Sequence, residues 1–239
     1  MIAAACVVLA GRLSELVEVK GLEPGFRGLR PPLRSRTTIR RLAALFAVDS
    51  FGGGFIVQSF LVFWFHRKFG ASAATMGLVF FGTGLLQAWS SIAAVRLGRA
   101  FGLLNTMVFT HIPSNLLLIA IPFMPNLVSA VALLMGRFAL SQMDVPTRQA
   151  YLAAAVAPEE RTPAAAYTNT ARYATRPAGP VIGGALMQHV ALAGPFVAGG
   201  LLKIVYDVVM YGLFRRIPIA SEQQPSSPST SSSPSSSQS

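Results

Sequence analysis

Charged residues and cysteine are both scarce in this sequence, and their scarcity excludes several classes of protein. Charged side chains make up 12% of the 239 residues, against about 25% in an average soluble domain. Cys6 is the single cysteine, which excludes a disulfide framework and a cysteine-based metal site within the sequence. The three histidines form no H-E-x-x-H motif, and no G-x-x-x-x-G-K-[ST] phosphate loop occurs. We therefore predict a protein that is not an enzyme and that uses neither a metal nor a cofactor.

Acidic residues are fewer than basic ones, 9 against 20, which gives a net charge of +11. Such an excess can indicate nucleic-acid binding. Here, however, the basic residues lie mainly in short segments between long apolar runs, which is where membrane topology requires them. Hydrophobic residues make up 52% of the sequence, more than a soluble core of this size can bury. We therefore predict an integral membrane protein whose partner is the lipid bilayer and not nucleic acid.

Six apolar segments are long enough to cross a membrane, because about 20 helical residues span a ~30 Å hydrocarbon core. They are residues 42–65, 73–95, 103–124, 127–154, 164–188 and 195–214. Backbone groups in lipid must be hydrogen-bonded internally, which favours helices. We predict an all-α bundle of six transmembrane helices over residues 42–216. Residues 1–41 are predicted to be the end of a preceding helix and a basic cytoplasmic linker, and the Ser/Pro-rich residues 217–239 a disordered tail.

The loops differ in basic charge, and this difference predicts the orientation. On one side of the predicted bundle lie the basic N-terminal linker and the residues Arg96, Arg99, Arg161, Arg215 and Arg216. The opposite set carries only Arg67 and Lys68. Because cytoplasmic loops are rich in Lys and Arg, both termini are predicted to be cytoplasmic in a multi-pass protein of the cell membrane.

Asp49 lies inside the first apolar segment, where a carboxylate costs roughly 2.5–3.5 kcal/mol to insert. Such a residue usually faces a bundle interior or a wet cavity. Two interpretations remain open from the residues alone. Asp49 is either a cavity acid that binds protons or a cationic substrate, or a structural cap or ion pair near the cytoplasmic end.

Residues 136–186, GRFALSQMDVPTRQAYLAAAVAPEERTPAAAYTNTARYATRPAGPVIGGAL, resemble a transporter of the major facilitator superfamily. Half-domains of that family tend to have an arginine in the fourth helix, a cytoplasmic P-x-E-x-R-like loop and a G-P-x-x-G-G element. The arginine corresponds to Arg137. The loop corresponds to Pro158, Glu159, Glu160 and Arg161, and the last element to Gly179, Pro180, Gly183 and Gly184. The segment LFAVDSFGGGF also resembles the start of a half-domain.

The resemblance implies one half of a twelve-helix fold, in which each half is a 3+3 inverted repeat. The stretch RLGRAFG lacks the acid of the family's loop motif, which is typical of a C-terminal half. The resemblance implies alternating-access transport of a small-molecule substrate, with protons as the expected coupling ion. First and fourth helices of a half line the cavity, so the implied pathway residues are Asp49, Gln58, Ser59, Arg137 and Gln142.

Several alternatives stay open. The chain is the product of a truncated or shortened gene, or it is a membrane protein that acts only as an interaction or dimerisation partner. A third alternative is a half-size transporter that pairs with a missing N-terminal half or with a second copy. Arg137 binds either an anionic group or a carboxylate from another half. The G-P-x-x-G-G element serves either helix packing or substrate contact.

Other charged residues within the apolar segments are expected to have structural roles. Residues four apart share a helix face, so Asp144 is expected to pair with Arg148, and Lys203 with Asp207. His111 is expected to be a hydrogen-bonded structural residue. Two further arginines are expected to extend toward the cytoplasm or to bind Glu159 and Glu160; they are Arg172 and Arg176.

Overall fold

The computed structural model describes residues 35–215, and every regular element in that range is helical. Nine α-helices occur there: α1 Arg36–Gly54, α2 Gln58–Phe69, α3 Ala73–Phe101, α4 Leu103–Ala120, α5 Leu127–Ser141, α6 Asp144–Ala155, α7 Arg161–Thr175, α8 Ala178–His189 and α9 Gly194–Phe214. Short 3-10 turns occupy Ile121–Phe123 and Pro158–Glu160. Cys6, residues 1–34 and the predicted tail lie outside the described residues.

Five helical stretches are long and apolar enough to cross a membrane, by length and composition. They are Arg36–Phe69, Ala73–Phe101, Leu103–Phe123, Leu127–Ala155 and Gly194–Phe214. The predicted segment 164–188 is not among them. It is divided into α7 and α8, of 15 and 12 residues, and α7 is less apolar than the spans, since it contains two arginines and four threonines. Pro177, which lacks an N–H donor, lies at this division. The all-α membrane class is therefore supported, while the fifth predicted span, over residues 164–188, stays a prediction.

The first and fourth predicted segments are also interrupted. α1 ends at Gly54, α2 begins at Gln58, and residues 142–143 separate α5 from α6. Three consecutive glycines, which have low helix propensity, precede the first interruption. Interrupted helices at membrane depth are tolerated where protein surrounds them or where they line a cavity.

α8 crosses the end of α1 with the two backbones in direct contact. A Cβ built on Gly179 would lie 2.5 Å from the Cα of Gly54, and one on Gly183 would lie 2.6 Å from the carbonyl oxygen of Phe55. A Cβ on Gly184 would instead make an ordinary contact, 3.5 Å from the ring of Phe60. Two glycines of the G-P-x-x-G-G element therefore permit a helix crossing that no larger residue would allow.

Two apolar clusters occupy opposite ends of the helices, and polar residues lie between them. The cluster at the end predicted to be cytoplasmic includes Ile39, Phe46, Met107, Tyr206 and Phe214. The other includes Leu61, Trp64, Phe65, Leu118 and Phe196. His111 on α4 and Lys203 on α9 fall between members of the two clusters, and Asp49 falls between Phe46 on α1 and Leu61 on α2. The fold thus has a charged layer at mid-depth.

α1 packs most extensively against α7 and α9, and α4 packs against α5 and α9. α3 contacts α4 and α5 but leaves much of its apolar surface exposed, including Leu78, Phe81, Leu85, Trp89 and Ile92. Such a surface suits contact with lipid tails or with another helical unit.

The glycine crossing predicts a position-specific cost. Gly179→Ala is expected to lower stability by about 1–3 kcal/mol, because its Cβ meets backbone and the two helices must separate. Gly212→Ala is the matched control in α9, since a Cβ there meets nothing within 4 Å. The control should be neutral or slightly stabilising. Thermal unfolding midpoints of both variants in detergent check this, and equal midpoints would contradict the crossing.

Candidate functional site

The carboxylate of Asp49 lies in the charged layer and contacts cations from other helices. Its Oδ1 accepts a hydrogen bond from Nζ of Lys203 on α9. Its Oδ2 accepts one from Nη1 of Arg148 on α6 at 3.3 Å, and Nε2 of His111 on α4 lies 3.9 Å from Oδ1. Only 4% of Asp49 is exposed. A carboxylate buried this deeply needs such partners, because desolvating an ion costs several kcal/mol.

Two further carboxylates extend this network. Asp144 accepts a hydrogen bond from Nη1 of Arg148 at 2.7 Å, which confirms the pair predicted within α6. Asp207 accepts hydrogen bonds from Nδ1 of His111 at 2.8 Å and from the amide of Asn115 at 3.2 Å. His111 therefore lies between two carboxylates, with one ring nitrogen toward each.

The predicted pair of Lys203 with Asp207 is wrong. The two residues are four apart on α9, but Lys203 reaches across to Asp49 on α1 while Asp207 is bound by α4. A long flexible side chain can choose between a carboxylate on its own helix and one on a neighbour. Here the neighbour lies close because Gly52 and Gly199 let the helices approach, so that a Cβ on Gly199 would be 3.1 Å from the carbonyl oxygen of Gly52.

A cavity of about 220 Å³ opens beside Asp49. Its cationic lining residues are Arg137, Arg148, Arg172, Arg176 and Lys203. Its acidic and other polar lining residues are Asp49, Asp144, Ser50, His111, Ser141 and Gln142. The cavity therefore carries more positive than negative groups, and it is lined mostly by polar side chains at the depth of the charged layer.

Hydrogen bonds between α1 and α7 position two of these arginines. The hydroxyl of Ser50 donates to the carbonyl oxygen of Arg172 at 2.9 Å, and the hydroxyl of Thr175 donates to that of Ala47 at 3.0 Å. They hold α7 with Arg172 and Arg176 against the cavity. Two alternatives were left open for these arginines, extension toward the cytoplasm or binding to the loop acids. The second does not apply to Arg172, because Arg172 lines the cavity and Glu160 precedes it by a helical rise of about 18 Å.

The structure brings together three of the five predicted pathway residues. Asp49, Arg137 and Gln142 line the cavity. Gln58 and Ser59 are exposed at the start of α2 and do not line it. Contact of these two residues with the solute stays a prediction.

The predicted loop and glycine element lie outside the cavity lining. Glu160 is buried in its 3-10 turn, while Glu159 and Arg161 are exposed, and Nε of Arg161 donates to the carbonyl oxygen of Ala153 at 2.9 Å. The four residues of the G-P-x-x-G-G element contribute to helix contacts instead; they are Gly179, Pro180, Gly183 and Gly184.

The sequence interpretation missed part of the network. Lys203 was expected to pair within its own helix and His111 to be a hydrogen-bonded structural residue, and neither was linked to Asp49, yet both contact it. A usable signal was present, since both are ionisable residues within apolar segments. Local spacing could not reveal that α4 and α9 direct them toward the same carboxylate.

Comparison with known proteins identifies the family. The model of the Major Facilitator Superfamily matches residues 42–238. This chain belongs to that superfamily. An uncharacterized membrane protein of Saccharomyces cerevisiae, YJR124C, is 28% identical over 179 residues, which are 74% of this chain and 40% of the yeast protein. The chain thus matches less than half the length of this relative. The resemblance predicted from the motifs is confirmed for the superfamily, whose members are membrane transporters.

The ion pairs at Asp49 predict coupled stabilities. Asp49→Asn should destabilise the protein by about 3–5 kcal/mol, because Lys203 is left buried without its carboxylate. Adding Lys203→Met removes the unpaired charge and should restore part of that loss. Thermal unfolding in detergent of the two single variants and the double variant gives the coupling, which we expect to be about 0.5–3 kcal/mol. Simple additivity of the two losses would show that the pair contributes nothing.

Proposed function

We propose that this chain forms the C-terminal six-helix half of a secondary transporter that moves a small solute by alternating access. In this proposal α7 and α8 together make the fifth of the six spans, and the cavity beside Asp49 belongs to the solute pathway. The observation that carries it is a polar cavity of about 220 Å³ at mid-depth, with an apolar cluster on either side. Transporters of this kind bind their substrates near the bilayer midplane.

A second helical unit would complete the pathway. The match covers 40% of the yeast relative, which supports the proposal that this chain corresponds to one half of a transporter. Either a missing N-terminal half or a second copy of the chain would supply the opposite wall of the cavity. The alternative is a membrane protein that does not transport by itself and acts as an interaction or dimerisation partner, as the exposed apolar face of α3 would permit.

Proton coupling would use His111. Its Nδ1 contacts Asp207, so a second proton on the ring would lie on Nε2, which faces Asp49 at 3.9 Å. That proton adds a third cation to the carboxylate that Lys203 and Arg148 already bind, and so it weakens the hold of Lys203. Histidine is suited to this role because either of its ring nitrogens can take up or release a proton.

Both ends of the chain would lie in the cytoplasm, and the protein in the cell membrane. Basic residues near the C-terminal end of α3 and just after α9 support this orientation; they include Arg96, Arg99 and Arg215.

Alternating access predicts that one cavity residue is reachable from both sides of the membrane. Cys6→Ser removes the single cysteine, and Gln142→Cys then places one thiol in the cavity. We expect a membrane-impermeant maleimide to label it from either side, in intact cells and in inverted vesicles. Leu85→Cys is the control, because that exposed apolar position on α3 should react from neither side.

Labelling of Gln142→Cys from one side alone would contradict alternating access. It would instead favour the non-transporting interaction partner.

The proton hypothesis predicts that the exposure of this thiol depends on pH. Its labelling rate should therefore differ between acidic and alkaline buffers, and His111→Gln should remove the difference. The groups that face His111 are Asp49, Arg137, Arg148, Lys203, Tyr206 and Asp207. His189→Gln, at an exposed histidine on α8, is the matched control and should keep the pH dependence. Rates must be corrected for the intrinsic pH dependence of the thiol with a free cysteine standard, and an unchanged profile in His111→Gln would contradict the hypothesis.

A further inference from the structure

We propose that the cavity binds a small organic anion, carrying carboxylate or phosphate groups, through the guanidinium groups of Arg137, Arg172 and Arg176. This inference rests on the proposed function, since it names the class of solute for the same site. It also decides between the two kinds of substrate that the sequence left open.

The charge of the cavity is the first argument. Asp49 and Asp144 are the only acids among its described lining residues, and both are bound by Lys203 or Arg148. Two carboxylates thus balance two cations. The three remaining arginines have no carboxylate in the lining, which leaves a formal surplus of three positive charges. A small anion would offset this surplus.

Free hydrogen-bond donors are the second argument. Nε of Arg137 and Nε of Arg172 are buried and have no hydrogen-bond partner within the described part of the chain. A buried donor without a partner costs about 1–3 kcal/mol, or more when it is charged. The guanidinium of Arg137 lies 5.1 Å from the ring centroid of Phe138, a contact that orients the group without using its donors.

The backbones that carry these two arginines are themselves fixed. The hydroxyl of Ser114 donates to the carbonyl oxygen of Arg137 at 3.1 Å, and the hydroxyl of Ser50 donates to that of Arg172 at 2.9 Å. The guanidinium groups of Arg137 and Arg172 therefore project from helix backbones that are hydrogen-bonded to α4 and α1. Such preorganisation lowers the cost of binding.

The hydrogen bonds that Asp49 already accepts argue against a cationic solute. Its two oxygens already accept hydrogen bonds from Lys203 and Arg148, so a cation would have to displace a side chain and then face three free arginines. Guanidinium groups, in contrast, are planar and match the two oxygens of a carboxylate or phosphate. The volume of about 220 Å³ equals roughly seven waters at ~30 Å³ each, which suits a molecule of few carbons.

The test uses the full 239-residue chain in a neutral detergent, with citrate, succinate and inorganic phosphate as probes and choline chloride as the cationic comparison at equal ionic strength. We expect at least one anion to raise the unfolding midpoint in a saturable way. Arg137→Gln or Arg172→Gln should raise the half-saturating concentration about tenfold or more, since hydrogen bonds to charged groups are strong. Arg137→Lys keeps the charge but loses the planar group, and should weaken binding less than Arg137→Gln does.

Arg67→Gln is the matched control, because it removes the same charge at an exposed position on α2, outside the cavity. It should leave the half-saturating concentration unchanged. The inference is overturned if no anion gives a saturable shift, if the control weakens binding as much as Arg137→Gln, or if choline alone stabilises the protein and Asp49→Asn abolishes that effect. A variant that elutes as an aggregate is replaced by the other arginine variant.

Failure of this inference can be told apart from failure of the proposed function. Labelling of Gln142→Cys from both sides without anion binding would retain the transport proposal and reject the anion. Saturable anion binding with labelling from one side would retain the anion site and reject alternating access.

Discussion

A buried carboxylate must be paired, and the arrangement of this bundle depends on how Asp49 meets that requirement. Its partners come from helices far apart in the sequence, Lys203 on α9, Arg148 on α6 and His111 on α4. Removing these ions from water costs several kcal/mol each, and only their close approach compensates that cost. The pairing therefore ties four helices together at mid-depth, where apolar contacts alone would discriminate weakly between alternative arrangements.

Small residues make this approach possible. Gly52 and Gly199 bring α1 close to α9, while Gly54 and Gly179 bring α1 close to α8. In a membrane, helices associate largely through such close packing, because lipid tails are as apolar as leucine. The glycines also coincide with an interruption between α1 and α2, and a second interruption at residues 142–143 borders the cavity. Irregular backbone thus occurs beside a polar cavity and within protein contacts, which is where it is tolerated.

The surplus of arginines gives the cavity its chemical character. Charges that only held helices together would be balanced, as Asp49 and Asp144 balance Lys203 and Arg148. Arg137, Arg172 and Arg176 exceed what that role needs. Unbalanced ionisable groups at membrane depth usually mark a pathway or a binding site. Membership of a transporter superfamily and the excess of arginines are the two observations that support our proposal of a solute site in this cavity.

The sequence by itself determined the membrane class, the approximate helices and the Asp144–Arg148 pair, because hydropathy and four-residue spacing are local properties. It also determined that Asp49 and Arg137 required polar surroundings. Only the tertiary structure decided that Lys203 binds Asp49 and that Arg172 faces the cavity. Those outcomes depend on the relative rotation and approach of helices whose contacting residues are 122 to 154 positions apart in the sequence. No local pattern encodes the distance between two side chains on different helices.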